Sequence, residues 1–285
     1  MVDMTTLATV HSIDGDRATV DAGTRWRTLL PLTLERGLTP PVLTDAVDLT
    51  VGGTLSVGGI SGASYRDGAQ VDNVLELQVV TGKGTLETCS PTQSPDLFNV
   101  ALAGQGQCAI IVRATVRLVP AETTVRVRDL RYPGLQAMIQ AQRQLIADGS
   151  FDHVAGLVTP APAGGWAYAI EAASSYTTPA RPHHAGLAAN LGHIPSSEQI
   201  RDEPYVGWAY RVDDQVAELV ASGVWGHAPA AARRRDRGSS TGGNGRLAAR
   251  LRSPHDRRTA STPARGAGHT CNARRWPGSA ARPRW

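Results

Sequence analysis

Residues 43–62, with the sequence LTDAVDLTVGGTLSVGGISG, have the clearest potential for chemistry in this chain. Five glycines fall between Gly52 and Gly62, and threonine and serine hydroxyls lie among them. Glycine permits a positive φ or a close approach of the backbone to a ligand, so such a loop can aim several amides at one anion. Tight turns between short strands would use the same composition. The residue types alone therefore leave a phosphate cradle and a set of turns as alternatives.

Turn signals and short apolar runs predict an α+β fold around this stretch. Asp14–Gly15 is a hairpin signal between two strands within residues 1–23. A helix is predicted over residues 24–37, capped by Thr24 and closed by Gly37. The other elements predicted for this half are a strand at 73–81 with its return strand through Cys89, a helix at 94–104 and a long strand at 107–120.

A second structural region is predicted to begin near Pro120–Thr124, where a new alternating strand starts. Residues 133–149 carry apolar side chains at helical spacing and predict the best helix of the chain. The rest of this region is predicted as two strands around a turn at Pro162–Gly165, a loop over residues 179–210 and a short helix at Asp213–Gly223.

The charge of the chain is divided unevenly. Residues 229–285 hold 14 arginines and two aspartates, a net of +12, whereas residues 1–228 hold 15 basic and 23 acidic side chains, a net of −8. The arginine-rich tail has too few apolar residues to offset the entropy of ordering it. A nucleic-acid-binding arm, a disordered native tail and a stretch translated out of frame are the three interpretations. The abrupt change of composition favours the last.

Cysteine usage and hydropathy give expectations about compartment. The three cysteines, Cys89, Cys108 and Cys271, are not at metal-ligand spacing, and an odd number is a poor disulfide framework. Cys89 and Cys108 lie in apolar contexts and are predicted to be small core residues. No secretory signal opens the chain, and no apolar run reaches membrane-spanning length. We therefore expect a cytoplasmic protein with no metal site, no membrane partner and no nucleic-acid partner.

The order of residues over 43–120 is more specific than their composition. The string LTD-x-x-x-LTVGGTLS-x-x-GISG is followed by NVLELQVVTGKG (73–84), TCS (88–90) and DLFNVALAGQGQCAIIVRATVRLVP (96–120). This pattern resembles the FAD-linked oxidases with a vanillyl-alcohol-oxidase (PCMH-type) flavin domain, and within them the cytokinin dehydrogenases. The resemblance runs from about Val2 to Trp225 and is densest over 43–120.

The resemblance implies both an architecture and an activity. Residues 1–122 would be the second lobe of a PCMH-type FAD-binding domain, residues 123–228 the start of an α+β substrate-binding domain, and residues 229–285 a tail. FAD would be the cofactor. The partners would be a small-molecule substrate, which loses hydride from an amine or alcohol carbon, and an electron acceptor, oxygen or a quinone.

The resemblance also implies roles for individual residues. Thr44 and Asp45 match a Thr-Asp pair whose aspartate, in cytokinin dehydrogenases, faces the flavin and accepts a proton from the substrate amine. Asp45 is therefore the expected catalytic base and a flavin contact, and the bracing of a turn is the alternative use of this side chain. The other positions that match flavin-contacting positions are Thr50, Gly52, Gly53, Thr54, Ser56, Ile60, Gly106, Gln107 and Ile111.

Three features depart from the family pattern. The Gly-Arg-Gly-His-Ser type loop, whose histidine carries the covalent flavin bond, has no counterpart in a chain that starts at MVDM. Ala155 stands where the family has a glutamate after FDYV, and the arginine-rich tail replaces the family's C-terminal segments after Trp225. The alternative hypothesis is thus a truncated, frame-shifted product that holds no FAD and catalyses nothing.

Overall fold

The computed structural model describes residues 2–162, 164–180, 182 and 191–223. The predicted tail at 229–285 lies outside the described residues, and so does part of the predicted loop over 179–210, which includes His183 and His184. Residues 1–218 form one unit of the fold, and of the second unit only residues 219–223 are described.

The first half of the chain builds a five-stranded antiparallel sheet around one long strand. Strand order is β1-β2-β6-β4-β5, so β6 lies at the centre. The strands are β1 (Val10–Asp14), β2 (Arg17–Asp21), β4 (Val74–Thr81), β5 (Leu86–Cys89) and β6 (Ala109–Arg117). A short ribbon pairs β3 (Leu38–Thr39) with β7 (Val119–Pro120). The predicted hairpins at Asp14–Gly15 and after Thr81 are both confirmed.

Four helices belong to this half: α1 (Trp26–Leu34), α2 (Val51–Val57), α3 (Ser64–Asp67) and α4 (Pro95–Ala101). The helix α1 was predicted to be capped by Thr24, and this prediction is wrong. Its N-cap is Arg25, with no side-chain cap, because the Thr24 hydroxyl donates instead to the carbonyl of Thr9 at 3.4 Å. Trp26 and Leu29 of α1 are buried against the sheet.

Part of the glycine stretch forms a helix rather than an extended loop. This part, residues 51–57, is α2, and the Thr50 hydroxyl caps it by accepting the amide of Gly53 at 3.2 Å. Gly52 lies against β2 so closely that an added Cβ would fall 2.6 Å from Cβ of Ala22. Glycine at this position therefore serves the packing of a helix on a sheet, which neither sequence-based alternative anticipated.

The second half builds a four-stranded antiparallel sheet with order β11-β8-β10-β9. Its strands are β8 (Thr124–Tyr132), β9 (His153–Pro160), β10 (Trp166–Tyr176) and β11 (Gln199–Pro204). The long helix α5 (Leu135–Asp148) packs on one face, where Met138 and Leu145 meet Ile170 of β10. The short helices α6 (Tyr205–Ala209) and α7 (Asp213–Ala221) follow.

Most predicted elements of this half are confirmed, including the strand at 124–132, the helix at 133–149 and the hairpin at 151–178. The predicted loop over 179–210 is wrong where β11 and α6 form. The sequence of β11, QIRDEP, lacks an apolar alternation. This strand lies at the edge of the sheet, and its polar side chains form ion pairs with side chains of the neighbouring strand β8. One such pair joins the guanidinium of Arg126 to both carboxylate oxygens of Asp202 at 2.8 and 2.9 Å.

The predicted α+β fold class is confirmed. Cys89 is a buried free thiol, as predicted, whereas Cys108 is only partly buried, so its prediction as a core residue is wrong. Across the described residues, none of the helices is both long enough and apolar enough to cross a bilayer.

An apolar cluster joins the two sheets. Leu30 of α1 is fully buried and packs with Val125 and Val127 of β8 and with Tyr205 of α6. The cluster fixes the start of β8 and the segment after β11 against the first half of the chain. The loop that carries Asp45 and the residues after α6 are thereby held on the same side.

We predict that Gly52→Ala destabilises the protein by about 1–2 kcal/mol. Alanine would favour an exposed helix by up to about 1 kcal/mol, but overpacking a tight contact costs about 1–3 kcal/mol. Denaturant unfolding measures the difference. Gly82→Ala is the matched control, since nothing lies within 4 Å of a Cβ added there. Equal stability of the Gly52 variant and the wild type would contradict the packing argument.

Candidate functional site

The predicted base, Asp45, belongs to a cluster of charged side chains from four segments. Arg211, which follows α6, donates from Nη2 to Oδ1 of Asp45 at 2.7 Å and from Nε to Oε1 of Glu171 at 3.0 Å. The guanidinium carbon of Arg211 also lies 4.4 Å from the centre of the Trp208 ring. One arginine thus connects two carboxylates that are 126 positions apart in the sequence.

The two carboxylates differ in their access to solvent. The side chain of Glu171 is 12% exposed and that of Arg211 13%, whereas that of Asp45 is 53% exposed. Within the described part of the chain, Oδ1 of Asp45 accepts the bond from Arg211 and Oδ2 accepts none. Asp45 is therefore the carboxylate that a small molecule could reach, with one oxygen fixed and one open.

His153, the first residue of β9, is the fourth member of the cluster and is almost fully buried. Its ring packs edge-on against Trp208 with the ring centres 5.1 Å apart, and it fills the space where a side chain at Gly62 would lie. Burial and then the charge of Arg211 lower the pKa of His153 to about 4, although Asp45 opposes the shift. The imidazole is therefore neutral near pH 7 and adds no charge beside Arg211.

Glu171 lies in the middle of β10 and has a second arginine partner. Burial raises the pKa of Glu171, and Asp129 adds to the rise, while Arg211 and Arg201 oppose it. Nη2 of Arg201 lies 3.5 Å from Oε2 of Glu171, and Arg201 also pairs with Asp129. With a cation at each oxygen, Glu171 is held in place and is less available to a ligand than Asp45.

The position of Glu171 bears on the glutamate that the family pattern places at residue 155. Ala155 of β9 and Glu171 of β10 are directly paired in the antiparallel register. Directly paired residues project from the same face of a sheet. In this chain a carboxylate therefore reaches that face from the neighbouring strand, although residue 155 has none.

A cavity of about 360 Å³ adjoins the cluster. Thr44 and Arg211, the sequence neighbour and the ion partner of Asp45, both line it. Its other lining residues on the first half of the chain include Pro40, Pro41, Leu43, Ser61 and Arg66, and those on the second half include Asp152, His153, Ser175, Tyr205 and Trp208. The cavity thus combines apolar rings with a few polar groups, as small-molecule sites commonly do.

The residues predicted to contact flavin fall into two groups. The first group is internal. Thr50 caps α2, Thr54 is buried and accepts the Trp26 indole at 2.9 Å, and Ser56 donates to the carbonyl of Gly52 at 2.6 Å. Ile111 of β6 is also buried in the core.

The second group is exposed and is brought together at the C-terminal end of α2. There the amide of Gln105 donates to the Ser56 carbonyl at 2.8 Å, which places the loop that contains Gly106 and Gln107 beside α2. The side chain of Ile60 is 75% exposed just beyond the helix. Val57, 69% exposed, adds to this apolar surface.

The loop beside this surface has an unusual backbone. Ala103 and Gln105 both have a φ of 53°, in the left-handed region that side chains other than glycine seldom adopt. Residues in such conformations are concentrated at ligand-binding and active sites. The exposed apolar surface and the strained loop thus occur at the same end of α2.

The first-turn amides of α2 are already bonded within the protein. Those of Val51 and Gly52 donate to the carbonyls of Thr24 and Ala22 at 2.8 Å each, and that of Gly53 donates to Thr50. The first turn of α2 therefore has few free donors for an anion. The exposed side chains of Val57 and Ile60 would instead suit a flat apolar ring. Nearby, Oε1 of Gln70 is buried without a partner among the described residues, directly under Gly59. This acceptor suits a ring that carries an N–H at its edge.

Parts of this chain are similar to known proteins. Residues 1–90, which include Asp45, α2 and Ile60, match a family model described as an FAD binding domain. An uncharacterized oxidoreductase of the fasciation locus of Rhodococcoides fascians is 39% identical over 225 residues, covering 79% of this chain and 51% of that protein. Cytokinin dehydrogenase 4 of Arabidopsis thaliana is 35% identical over 249 residues, covering 76% of this chain and 47% of the plant enzyme.

Residues 1–90 therefore carry an FAD binding domain, and FAD is the cofactor that this domain indicates. The chain is similar to the cytokinin dehydrogenases, as its sequence pattern predicted; cytokinin dehydrogenase 9 of Oryza sativa subsp. japonica is 46% identical over 142 residues, 49% of this chain and 27% of that enzyme. The chain spans about half the length of the first two relatives.

Sequence analysis singled out Asp45 but not the three side chains that the structure places around it. His153, Glu171 and Arg211 belong to no local motif, and they meet Asp45 only through contacts between distant segments. The single signal available was Ala155, whose cross-strand neighbour could have been sought in the predicted hairpin at 151–178.

We predict that His153 makes the protein less stable in acid. An unfolded histidine binds a proton near pH 6.5, whereas folded His153 does so only near pH 4. Between these values the unfolded state binds more protons, so the free energy of unfolding falls as the pH falls from about 6.5 towards 4. The total loss is on the order of 3 kcal/mol.

Denaturant unfolding at a series of pH values measures this loss. His153→Gln should flatten the dependence over that window. An unchanged slope in His153→Gln would show that other groups cause the acid sensitivity.

Proposed function

We propose that this chain acts as an FAD-dependent oxidoreductase of the cytokinin dehydrogenase type, with Asp45 as proton acceptor. The substrate would be a small molecule that loses hydride from an amine or alcohol carbon. The observation that carries the proposal is the half-exposed Asp45 carboxylate held by Arg211. Asp45 does not line the cavity itself, but its sequence neighbour Thr44 and its partner Arg211 do.

When bound, FAD supplies the two-electron acceptor for such a reaction. The residues that would hold its ring are the exposed Val57 and Ile60 with the loop at Gly106 and Gln107, and Gln70 would supply an acceptor beneath them. The predicted contacts of Thr50, Gly52, Gly53, Thr54, Ser56 and Ile111 remain part of this proposal.

Asp45 would take the proton that the substrate nitrogen or oxygen loses as hydride leaves the adjacent carbon. The bond to Arg211 occupies Oδ1, so Oδ2 is the oxygen available to receive that proton. Glu171 is less suited to this role because two cations bind it. His153 lines the cavity, but its side chain is only 3% exposed and its Nε2 faces Nη2 of Arg211 at 3.5 Å.

The cavity supports a small substrate. A volume of about 360 Å³ is at the lower end of the range for ligand pockets, roughly 300–1,000 Å³. The apolar wall of Pro40, Pro41 and Trp208 suits a flat or aliphatic group, and the Arg66–Asp152 pair in the lining suits a polar one. We propose oxygen or a quinone as the electron acceptor.

The two sheets support the proposed division of labour along the chain. The five-stranded sheet falls within residues 1–122, proposed as the flavin-binding part. The four-stranded sheet falls within residues 123–228, proposed as the substrate-binding part. Asp45 and Arg211 come from different parts, so the proposed site forms only when both are folded.

We predict that Asp45→Asn slows the reduction of bound flavin by about 10²–10⁴-fold, the usual contribution of a general base. Anaerobic stopped-flow absorbance with a cytokinin, a secondary amine and a primary alcohol measures the rate. Asp48→Asn is the matched control, because Asp48 is also half-exposed and paired with an arginine, Arg27. Flavin reduction at the wild-type rate in Asp45→Asn would exclude Asp45 as the base.

The visible spectrum of the purified chain, before and after acid precipitation, decides whether it holds FAD at all. Yellow colour released into the supernatant is the expected result and indicates non-covalent flavin. A colourless protein that also fails to bind added FAD would support the alternative of a chain that catalyses nothing.

We also predict that Ile60→Asp weakens FAD binding at least about tenfold, since it places a charge on the apolar surface proposed for the ring. Quenching of flavin fluorescence during titration of the apoprotein measures the affinity. Leu86→Asp is the control, because Leu86 is 63% exposed on the edge strand β5. Equal affinities of the two variants would place the ring elsewhere.

A further inference from the structure

Arg211 is the one side chain in the described residues that contacts both carboxylates of the cluster. It is nearly buried, and each contact uses a different nitrogen on one edge of its guanidinium. We propose that Arg211 is a positioning residue, which transfers the fixed geometry of Glu171 in the sheet to the carboxylate of Asp45. This inference deepens the proposed function and rests on it for its kinetic part.

The two ends of the arrangement differ in rigidity. Glu171 lies in β10, which is hydrogen-bonded on both sides by β8 and β9. Asp45 lies in the irregular segment between β3 and α2, and among the described residues its carboxylate has no hydrogen-bond partner other than Arg211. Without that bond, the Asp45 side chain would be free to rotate towards solvent.

A guanidinium suits this task better than an ammonium. Arginine presents several donors in a rigid planar fork, and its flat face stacks on aromatic rings, whereas lysine is a flexible point charge. Here the fork divides its donors between Asp45 and Glu171 while Trp208 covers the face. Nη1 also donates to the Trp208 carbonyl at 3.3 Å. These contacts fix the plane of the group, and the plane determines where Oδ1 of Asp45 must lie.

The surroundings suggest that the fold can survive the loss of Arg211. Glu171 would keep Arg201, whose Nη2 lies 3.5 Å from Oε2, so its buried charge would not be left alone. The space vacated between Glu171 and Trp208 would have the shape and charge to accept a free guanidinium ion. This property separates a positioning role from a general contribution to folding.

The first test is chemical rescue of Arg211→Ala. The rate of flavin reduction should fall about 10²-fold with KM changed less than about threefold, as expected for a misplaced catalytic group. Guanidinium chloride at about 5 mM should recover at least about tenfold of that loss, while sodium chloride at the same concentration should not. Arg126→Ala is the matched control, since Arg126 is 12% exposed, much as Arg211 is, and pairs with Asp202 rather than with the cluster; this variant should keep its rate.

The second test measures binding of guanidinium without catalysis. At a few millimolar, guanidinium should raise the Tm of Arg211→Ala by about 1–3 °C, although it leaves the wild type unchanged or slightly destabilised. The double variant Arg211→Ala with Glu171→Gln should lose this stabilisation, because it lacks the carboxylate that anchors the ion.

The outcomes are distinct. A wild-type rate in Arg211→Ala, or guanidinium that binds without restoring any rate, would overturn the inference. If Arg211→Ala does not fold, Arg211→Lys replaces it: a lowered rate at near wild-type Tm supports positioning, and a wild-type rate overturns it. Failure of the proposed function would look different: Asp45→Asn would keep the wild-type rate, or the chain would hold no flavin. If the chain holds no flavin, the Tm experiment alone decides whether Glu171 anchors Arg211.

Discussion

The candidate site depends on the apolar contact between α1 and the second sheet. Leu30 is fully buried there against Val125 and Val127. Each such side chain contributes about 1.5–3 kcal/mol when it leaves water. Because the contact is non-directional, it brings the two halves together without fixing the orientation of any polar group. The charged cluster that bridges the halves supplies that orientation.

The cluster illustrates how buried ion pairs trade stability for geometry. Desolvation of Arg211 and Glu171 offsets much of their attraction, so the pair is weak evidence for stability. Its directional bonds, however, specify where a third group, Asp45, is held. The neutral state of His153 belongs to the same balance, since a second cation beside Arg211 would compete for both carboxylates. The arrangement places a reachable carboxylate beside a cavity at the cost of acid sensitivity.

Much of the architecture could be predicted from local sequence signals. The hairpins, the strands β4, β6 and β8, and the helix α5 follow from alternation, helical spacing and turn residues. The glycine stretch was harder, because glycine disfavours a helix and the reason for Gly52 is its contact with Ala22, a residue 30 positions away. Strand β11 escaped prediction because an edge strand needs no apolar face.

The site shows the same limit more sharply. Asp45 could be proposed from sequence because it lies in an ordered motif of neighbouring residues, whereas Arg211 meets it across 166 positions of sequence. No spacing rule connects such residues before the fold is known. The strand register was the missing information for Glu171, since Ala155 appeared to leave the site without a second carboxylate until the two residues were found paired.

The β9–β10 register has a consequence for how this surface could change over time. His153 pairs directly with Ala173, and Ala155 pairs directly with Glu171. Because residues two apart on a strand point to the same side, all four side chains share one face of the sheet. The polar side chains therefore sit on one diagonal of a four-residue square and the alanines on the other. If alanine and glutamate exchanged places at 155 and 171, the carboxylate would move from β10 to β9 but would stay on the same face of the sheet. Two lineages could therefore carry the same charged surface with different residues at these two positions.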